Sequence, residues 1–169
     1  ILTCVIVAFI LYLVYNGVVL GGFGVPKSLS MTFYLLQEKK KWTRIFFPIM
    51  MISMAFLLLP AWLEISALSS LQFLAFLAAA GILFVGAAPA FESSSLENTV
   101  HMTSAIVAAI FAILWVVLVS KLWWVILVWS AITGLIMLVT KTVKSSYIYW
   151  LETIAFMSTF TSILVYYLV

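Results

Sequence analysis

Hydrophobic residues run along this chain in long blocks, interrupted by short polar stretches, with neither the alternation of strands nor a wet face at helical spacing. The blocks lie at 1–25, 45–63, 68–88, 99–119, 122–140 and 146–168. About 20 apolar residues suffice for one helical crossing of a bilayer, so each block predicts a transmembrane helix. The pattern predicts an all-α, polytopic integral membrane protein: a single domain over 1–169, built as a six-transmembrane-helix bundle.

The first block carries no charge and ends in Gly21-Gly22-Phe23-Gly24-Val25-Pro26, residues that stop a helix. Gly17 and Gly21, four apart, offer a small face to another helix, although glycine is also simply common in membrane helices. The block is too long for a signal peptide and lacks a small-residue cleavage site. Because the chain starts at Ile1 rather than Met, a processed or trimmed start is expected.

Between the first two blocks lies the wettest stretch, 26–44. Ser28 or Ser30 can cap a short helix running to about Lys41, with Leu29, Phe33 and Leu36 near one side. This predicts an interfacial amphipathic helix whose lysines lie among lipid phosphates. Pro48 falls in the first turn of the second span, where a missing amide proton costs little. The small residues Ala78, Ala79, Ala80 and Gly81 predict a third helix packed tightly in the bundle, stopped by Pro89. Serines at 93–95 are suited to cap the fourth.

Composition agrees with lipid as the solvent. Of the 169 residues, 67% are hydrophobic and 8% charged, with mean hydropathy +1.31. A soluble domain is about half apolar and roughly a quarter charged. One cysteine, Cys4, excludes an internal disulfide.

Charge sets the expected orientation. Segment 26–44 holds five of the eight basic residues, namely Lys27, Lys39, Lys40, Lys41 and Arg44. Basic clusters flanking a span stay on the cytoplasmic side. With six crossings, Lys141 and Lys144 join them inside and Lys121 alone stays outside. Trp62, Trp123, Trp124, Tyr166 and Tyr167 then form an outer aromatic belt; Trp42, Tyr147, Tyr149 and Trp150 form an inner one. Both termini fall on the outer side of the cell membrane. Lys39, Lys40, Lys41 and Arg44 are the expected lipid-headgroup contacts. Membrane lipids, a second copy of the chain or another membrane protein are the expected partners, and nucleic acid is not.

Candidate chemistry rests on few groups. Glu152 lies inside the sixth span, where an isolated charge costs about 2.5–3.5 kcal/mol at the bilayer centre. It must face the bundle interior, and it reads either as a proton or cation site or as a structural hydrogen-bonding group. His101, in the first turn of the fourth span, belongs to the same half, so a His101–Glu152 pair between helices is one expectation. A histidine bonded to a nearby loop is the other. Glu97, four residues before His101, and Glu92 are expected in the same cytoplasmic vestibule. Glu64 reads as a solvated turn residue.

Several classes fall away. One histidine, one cysteine and scattered acids make no zinc site, and paired-histidine haem is excluded by count. No serine–histidine–aspartate set, glycine-rich phosphate loop or Schiff-base lysine within a span is present. No metal or cofactor is expected. A lipid-modifying enzyme would have only the His–Glu couple as acid and base, so an enzyme is the less favoured class. No repeat relates the halves, which weighs against an inverted-repeat transporter. Two function classes remain: a small-solute, ion or proton transporter or channel with a cytoplasm-facing polar site, and a non-catalytic membrane subunit or scaffold.

Overall fold

The computed structural model describes residues 1–169 as an all-helical bundle of seven α-helices: α1 (Leu2–Phe23), α2 (Thr32–Lys39), α3 (Phe46–Ile65), α4 (Phe73–Ala87), α5 (Ser95–Leu118), α6 (Trp123–Thr140) and α7 (Tyr147–Leu168). A 3-10 turn, Lys41–Ile45, leads into α3. Five segments are long and apolar enough to cross a membrane: α1, α5, α6, α7, and α3 together with the turn before it. The chain is therefore a membrane protein by the length and composition of its helices.

The third block differs from its expected bounds. Its helix begins at Phe73, not near Leu68, and has 15 residues. At 1.5 Å per residue it is about 22 Å long, shorter than a 30 Å hydrocarbon core. The serine-rich segment ahead of it is used in turns: Ser66 N–H donates to Trp62 O and Ser69 N–H to Ser66 O. The fourth helix, conversely, starts four residues early because Ser94 caps it, its Oγ accepting the Glu97 N–H at 3.2 Å. The short second helix ends at Lys39, two residues before the expected limit.

α1 stops where the glycines predict. Gly24 has φ 74°, a conformation that favours glycine, and its N–H closes the helix on Leu20 O. α4 is the most enclosed helix of the bundle and packs between α3 and α5. Gly81 is the reason it can: a Cβ there would stand 2.6 Å from Ala108 N and 2.8 Å from Ser104 O. The two backbones touch because the side chain is absent. Gly86 approaches α3 similarly, with Met51 Cβ at 3.0 Å from a Cβ position.

The connections fall at two ends. One end gathers the 24–45 connector, the α4–α5 loop and the start of α7, linked by Tyr149 N–H to Lys27 O and by Glu92 N–H to Tyr34 Oη. At the other end Tyr167 donates to Glu64 and Trp115 Nε1 donates to Ser66 Oγ at 2.8 Å. Glu64 is thus partnered as well as exposed. α6 lies at the periphery, packed chiefly against α7 with only Val125 and Thr133 buried.

Candidate functional site

The connector is the element that organises the site. After Pro26 the chain turns back into the bundle instead of lying outside it, and Leu29, Ser30 and Thr32 are buried. Ser28 Oγ accepts the Met31 N–H at 3.1 Å and starts α2. Leu29, Phe33 and Leu36 share one side, as their spacing predicts, but their cover is protein. Phe33, for example, meets the ring of Phe47 edge-on at 6.5 Å.

Backbone groups folded into an apolar interior need partners. The Leu29 N–H finds one in Glu152 Oε2 at 2.6 Å. The buried Ser30 side-chain hydroxyl is partnered as well, by His101 Nε2 at 2.8 Å. His101 Nδ1 lies 2.8 Å from Ala88 O, and a carbonyl can only accept, so the network assigns the ring proton to Nδ1. In the neutral ring Nε2 then accepts from Ser30. The imidazole is stacked on Phe91 at 4.7 Å and fully enclosed.

This corrects the expected His101–Glu152 pair. The two side chains do not bond to each other; they hold successive residues of one connector, from α7 and α5. The physical reason is that the inserted connector offers each its own partner, a backbone amide at Leu29 for Glu152 and a side-chain hydroxyl at Ser30 for His101.

Glu97 and Glu92 lie at the same end but serve the loop. Glu97 Oε1 accepts the Ala90 N–H at 3.1 Å and its other oxygen accepts from Ser93 Oγ, so the acid near the α5 N-terminus ties the preceding turn to the helix. Glu92 is exposed, and its backbone N–H rather than its carboxylate reaches Tyr34. Burial holds the Tyr34 phenol above its ordinary value, so it meets that N–H as a neutral hydroxyl. Lys39, Lys40 and Lys41 are exposed and Arg44 is half-buried. Lys39 Nζ sits 4.7 Å from the centre of the Phe23 ring and the Arg44 guanidinium 5.7 Å from that of Phe33.

Beyond the connector lies a cavity of about 50 Å³. Leu29, Ser30 and Glu152 line it, with Met51, Leu58 and Trp62 of α3, Ile82 and Val85 of α4, four alanines of α5 between Ala105 and Ala112, and Ala155, Phe156 and Thr159 of α7. The alanines leave the space, since each falls short of the volume a leucine would fill. Glu152 donates nothing and accepts from Leu29 through one oxygen only, so its second oxygen, Oε1, is free to meet a cavity occupant.

Sequence reasoning missed a second polar layer. Tyr149 Oη donates to Asn16 Oδ1 at 2.9 Å, and Asn16 Nδ2 donates to Tyr12 O at 2.8 Å. Tyr12 Oη reaches Thr153 Oγ1 at 3.4 Å, and Tyr15 bonds Thr32. These contacts join α1 to α7 and to the connector. The signal available was Asn16, the only amide side chain in an uncharged 25-residue block.

Fold and site together define a helical membrane protein with a polar cluster buried at one end. No family model, curated protein or solved structure matches the chain.

Proposed function

We propose that the chain is a six-span protein of the cytoplasmic membrane that transfers a small solute, ion or proton, with the 24–45 connector as its cytoplasmic plug. The observation that carries this reading is the position of Glu152. One carboxylate oxygen holds the plug while the residue also lines a small cavity. A carboxylate within a span is a functional group by default, and here it touches both the closing element and the space that element closes.

Six crossings are supported by the alternation of connections between the two ends and by the charge count. With the connector end inside, seven basic residues face the cytoplasm and Lys121 alone faces out. The short α4 is accommodated by local thinning around it and by its enclosure between α3 and α5. The exposed Lys39, Lys40 and Lys41, with Arg44, then contact anionic headgroups at the inner surface. α2 lies at that surface with its apolar side on the bundle.

Reconstitution into proteoliposomes tests the reading. Current on a solid-supported membrane after steps of proton, alkali cation or small organic cation concentration is expected from the wild type, with its loss in Glu152→Gln. Flux unchanged by that substitution contradicts it.

One observation favours the second reading, a membrane subunit or scaffold. α6 turns Trp123, Leu127, Leu135 and Val139 outward and packs chiefly on α7, a face suited to lipid or to a partner helix. Reproducible crosslinking of α6 to another membrane protein, with no flux in the assay above, supports that alternative.

A further inference from the structure

The 3-10 turn before α3 sorts the basic cluster. A 3-10 helix has three residues per turn, so side chains three apart eclipse one another. Lys41 therefore shares a stripe with Arg44, and Trp42 shares the next with Ile45, one basic and one apolar. The turn is tied to the end of α2, because the Thr43 hydroxyl is shared between Lys40 O, at 2.8 Å, and Leu36 O.

Both stripes line a surface cleft of about 890 Å³, within the range of small-molecule sites. Phe33 of α2 and Pro89 of the α4–α5 loop line it as well. The Arg44 guanidinium stands 5.7 Å from the Phe33 ring centre and donates to Gln37 Oε1 at 3.4 Å, a neutral amide that leaves its charge uncompensated. No acidic side chain lines the cleft. Glu97, in the neighbouring loop region, is engaged by the Ala90 N–H and Ser93 Oγ. Lys39 and Lys40 stay outside: Lys39 Nζ rests on the Phe23 ring, and Lys40 is the extended residue that links α2 to the turn.

An apolar track continues from the cleft along α3. Ile45, Ile49 and Phe56 are exposed, and their spacings of four and seven put them on one side of the helix. From Ile45 to Phe56 the rise is about 16 Å, the depth of one leaflet of a 30 Å hydrocarbon core. Trp42, exposed and edge-on to Phe46 at 5.5 Å, stands at the head of the track, where an interfacial indole belongs.

We propose that this cleft binds one anionic phospholipid, with its phosphate between Lys41 and Arg44 and an acyl chain along Ile45, Ile49 and Phe56. The site rests on the reading that puts the connector end at a membrane surface, and not on transport. A planar guanidinium can hold two phosphate oxygens at once, and the lysine ammonium adds a point charge. Charge selects the headgroup. Phosphatidylglycerol is charged at its phosphate alone, whereas the ammonium of phosphatidylcholine would meet two cations and no carboxylate. The track selects a lipid over free phosphate, which gains nothing from an apolar surface.

Native mass spectrometry of the full chain in detergent, supplied with equal amounts of dioleoyl phosphatidylglycerol and dioleoyl phosphatidylcholine, counts the lipid retained. The wild type is expected to keep one phosphatidylglycerol in preference. Lys41→Gln and Arg44→Gln should each lower that preference about fivefold, the equivalent of about 1 kcal/mol per cation. Lys39→Gln and Lys40→Gln should leave it unchanged. All four substitutions remove one charge, so equal losses across them would show diffuse attraction and overturn the site. Equal retention of the two lipids by the wild type would overturn it too. Lys41 is exposed, so Lys41→Gln reads the cleft even if Arg44→Gln disturbs the contacts with Phe33 and Gln37.

The chain and the source of the phosphate have separate readouts. Phosphatidylglycerol with a diazirine in its acyl chain, in proteoliposomes, is expected to crosslink within residues 45–56, and less so in Lys41→Gln; crosslinks confined to other helices contradict the placement. Displacement of the retained lipid by excess inorganic phosphate would assign the cleft to a free anion and overturn the lipid. Retention in detergent involves neither orientation nor flux. A failure of the transport reading therefore leaves this site standing, and a failure of this site leaves transport to its own assay.

Discussion

Glu152 and His101 grip adjacent residues, Leu29 and Ser30, from α7 and α5, although the two are not bonded to each other. The grip is what lets a polar connector fold back into an apolar bundle. Leu29 brings an amide that must be bonded and a side chain that is 2% exposed. Its burial contributes about 1.5–3 kcal/mol only if the amide beside it is satisfied.

His101 is therefore expected to matter for stability in its own right. His101→Ala leaves the Ser30 hydroxyl and Ala88 carbonyl without their partner and opens a hole beside Phe91. The expected cost is about 2–4 kcal/mol, against roughly 1 kcal/mol for Ser30→Ala. Thermal unfolding of the purified protein in detergent reads both, and equal melting for His101→Ala and the wild type contradicts this role.

The two grips act on one element, so their losses are expected not to add. Combining His101→Ala with Glu152→Leu should cost less than the sum of the single changes, because the first already frees the connector. An additive double-mutant cycle would show two independent contacts.

The glycine in α4 separates close packing from mere flexibility. Gly81→Ala puts a Cβ against α5 backbone, which cannot rotate away, and is expected to destabilise by about 1–3 kcal/mol. Gly134 in α6 has nothing within 4 Å of its Cβ position. Gly134→Ala is expected to be neutral or stabilising by up to about 1 kcal/mol. The same unfolding assay measures the pair, and equal effects would contradict the packing account.

Much of this architecture was legible in the sequence because lipid-spanning helices advertise themselves by length. The Gly24 stop, the serine cap at the start of α5 and the tight packing near Gly81 all follow from local chemistry. The third span misled because Leu68 and Leu71 extend the apolar block while the adjacent serines bend it into turns. At the site, Glu152 and His101 stand out as lone polar groups in apolar runs, but the partner of each is invisible. Leu29 contributes a backbone amide, and no side chain announces that.

Orientation can be checked without any activity. In a Cys4→Ser background, Lys121→Cys is expected to react with an impermeant maleimide on intact cells, and Lys40→Cys only after permeabilisation. The reverse pattern would move the connector, and Glu152 and His101 with it, to the outer face.

Amide exchange at Leu29 in lipid nanodiscs, followed by mass spectrometry of the connector peptide, tests the central claim most directly. The wild type is expected to protect this amide strongly. Glu152→Gln, whose amide oxygen still accepts, should keep that protection. Glu152→Leu should lose it by about 5- to 150-fold, the equivalent of 1–3 kcal/mol for an orphaned buried donor. Exchange at Leu29 in the wild type as rapid as at exposed Lys40 would contradict the account, for the connector would then not be held in the bundle at all.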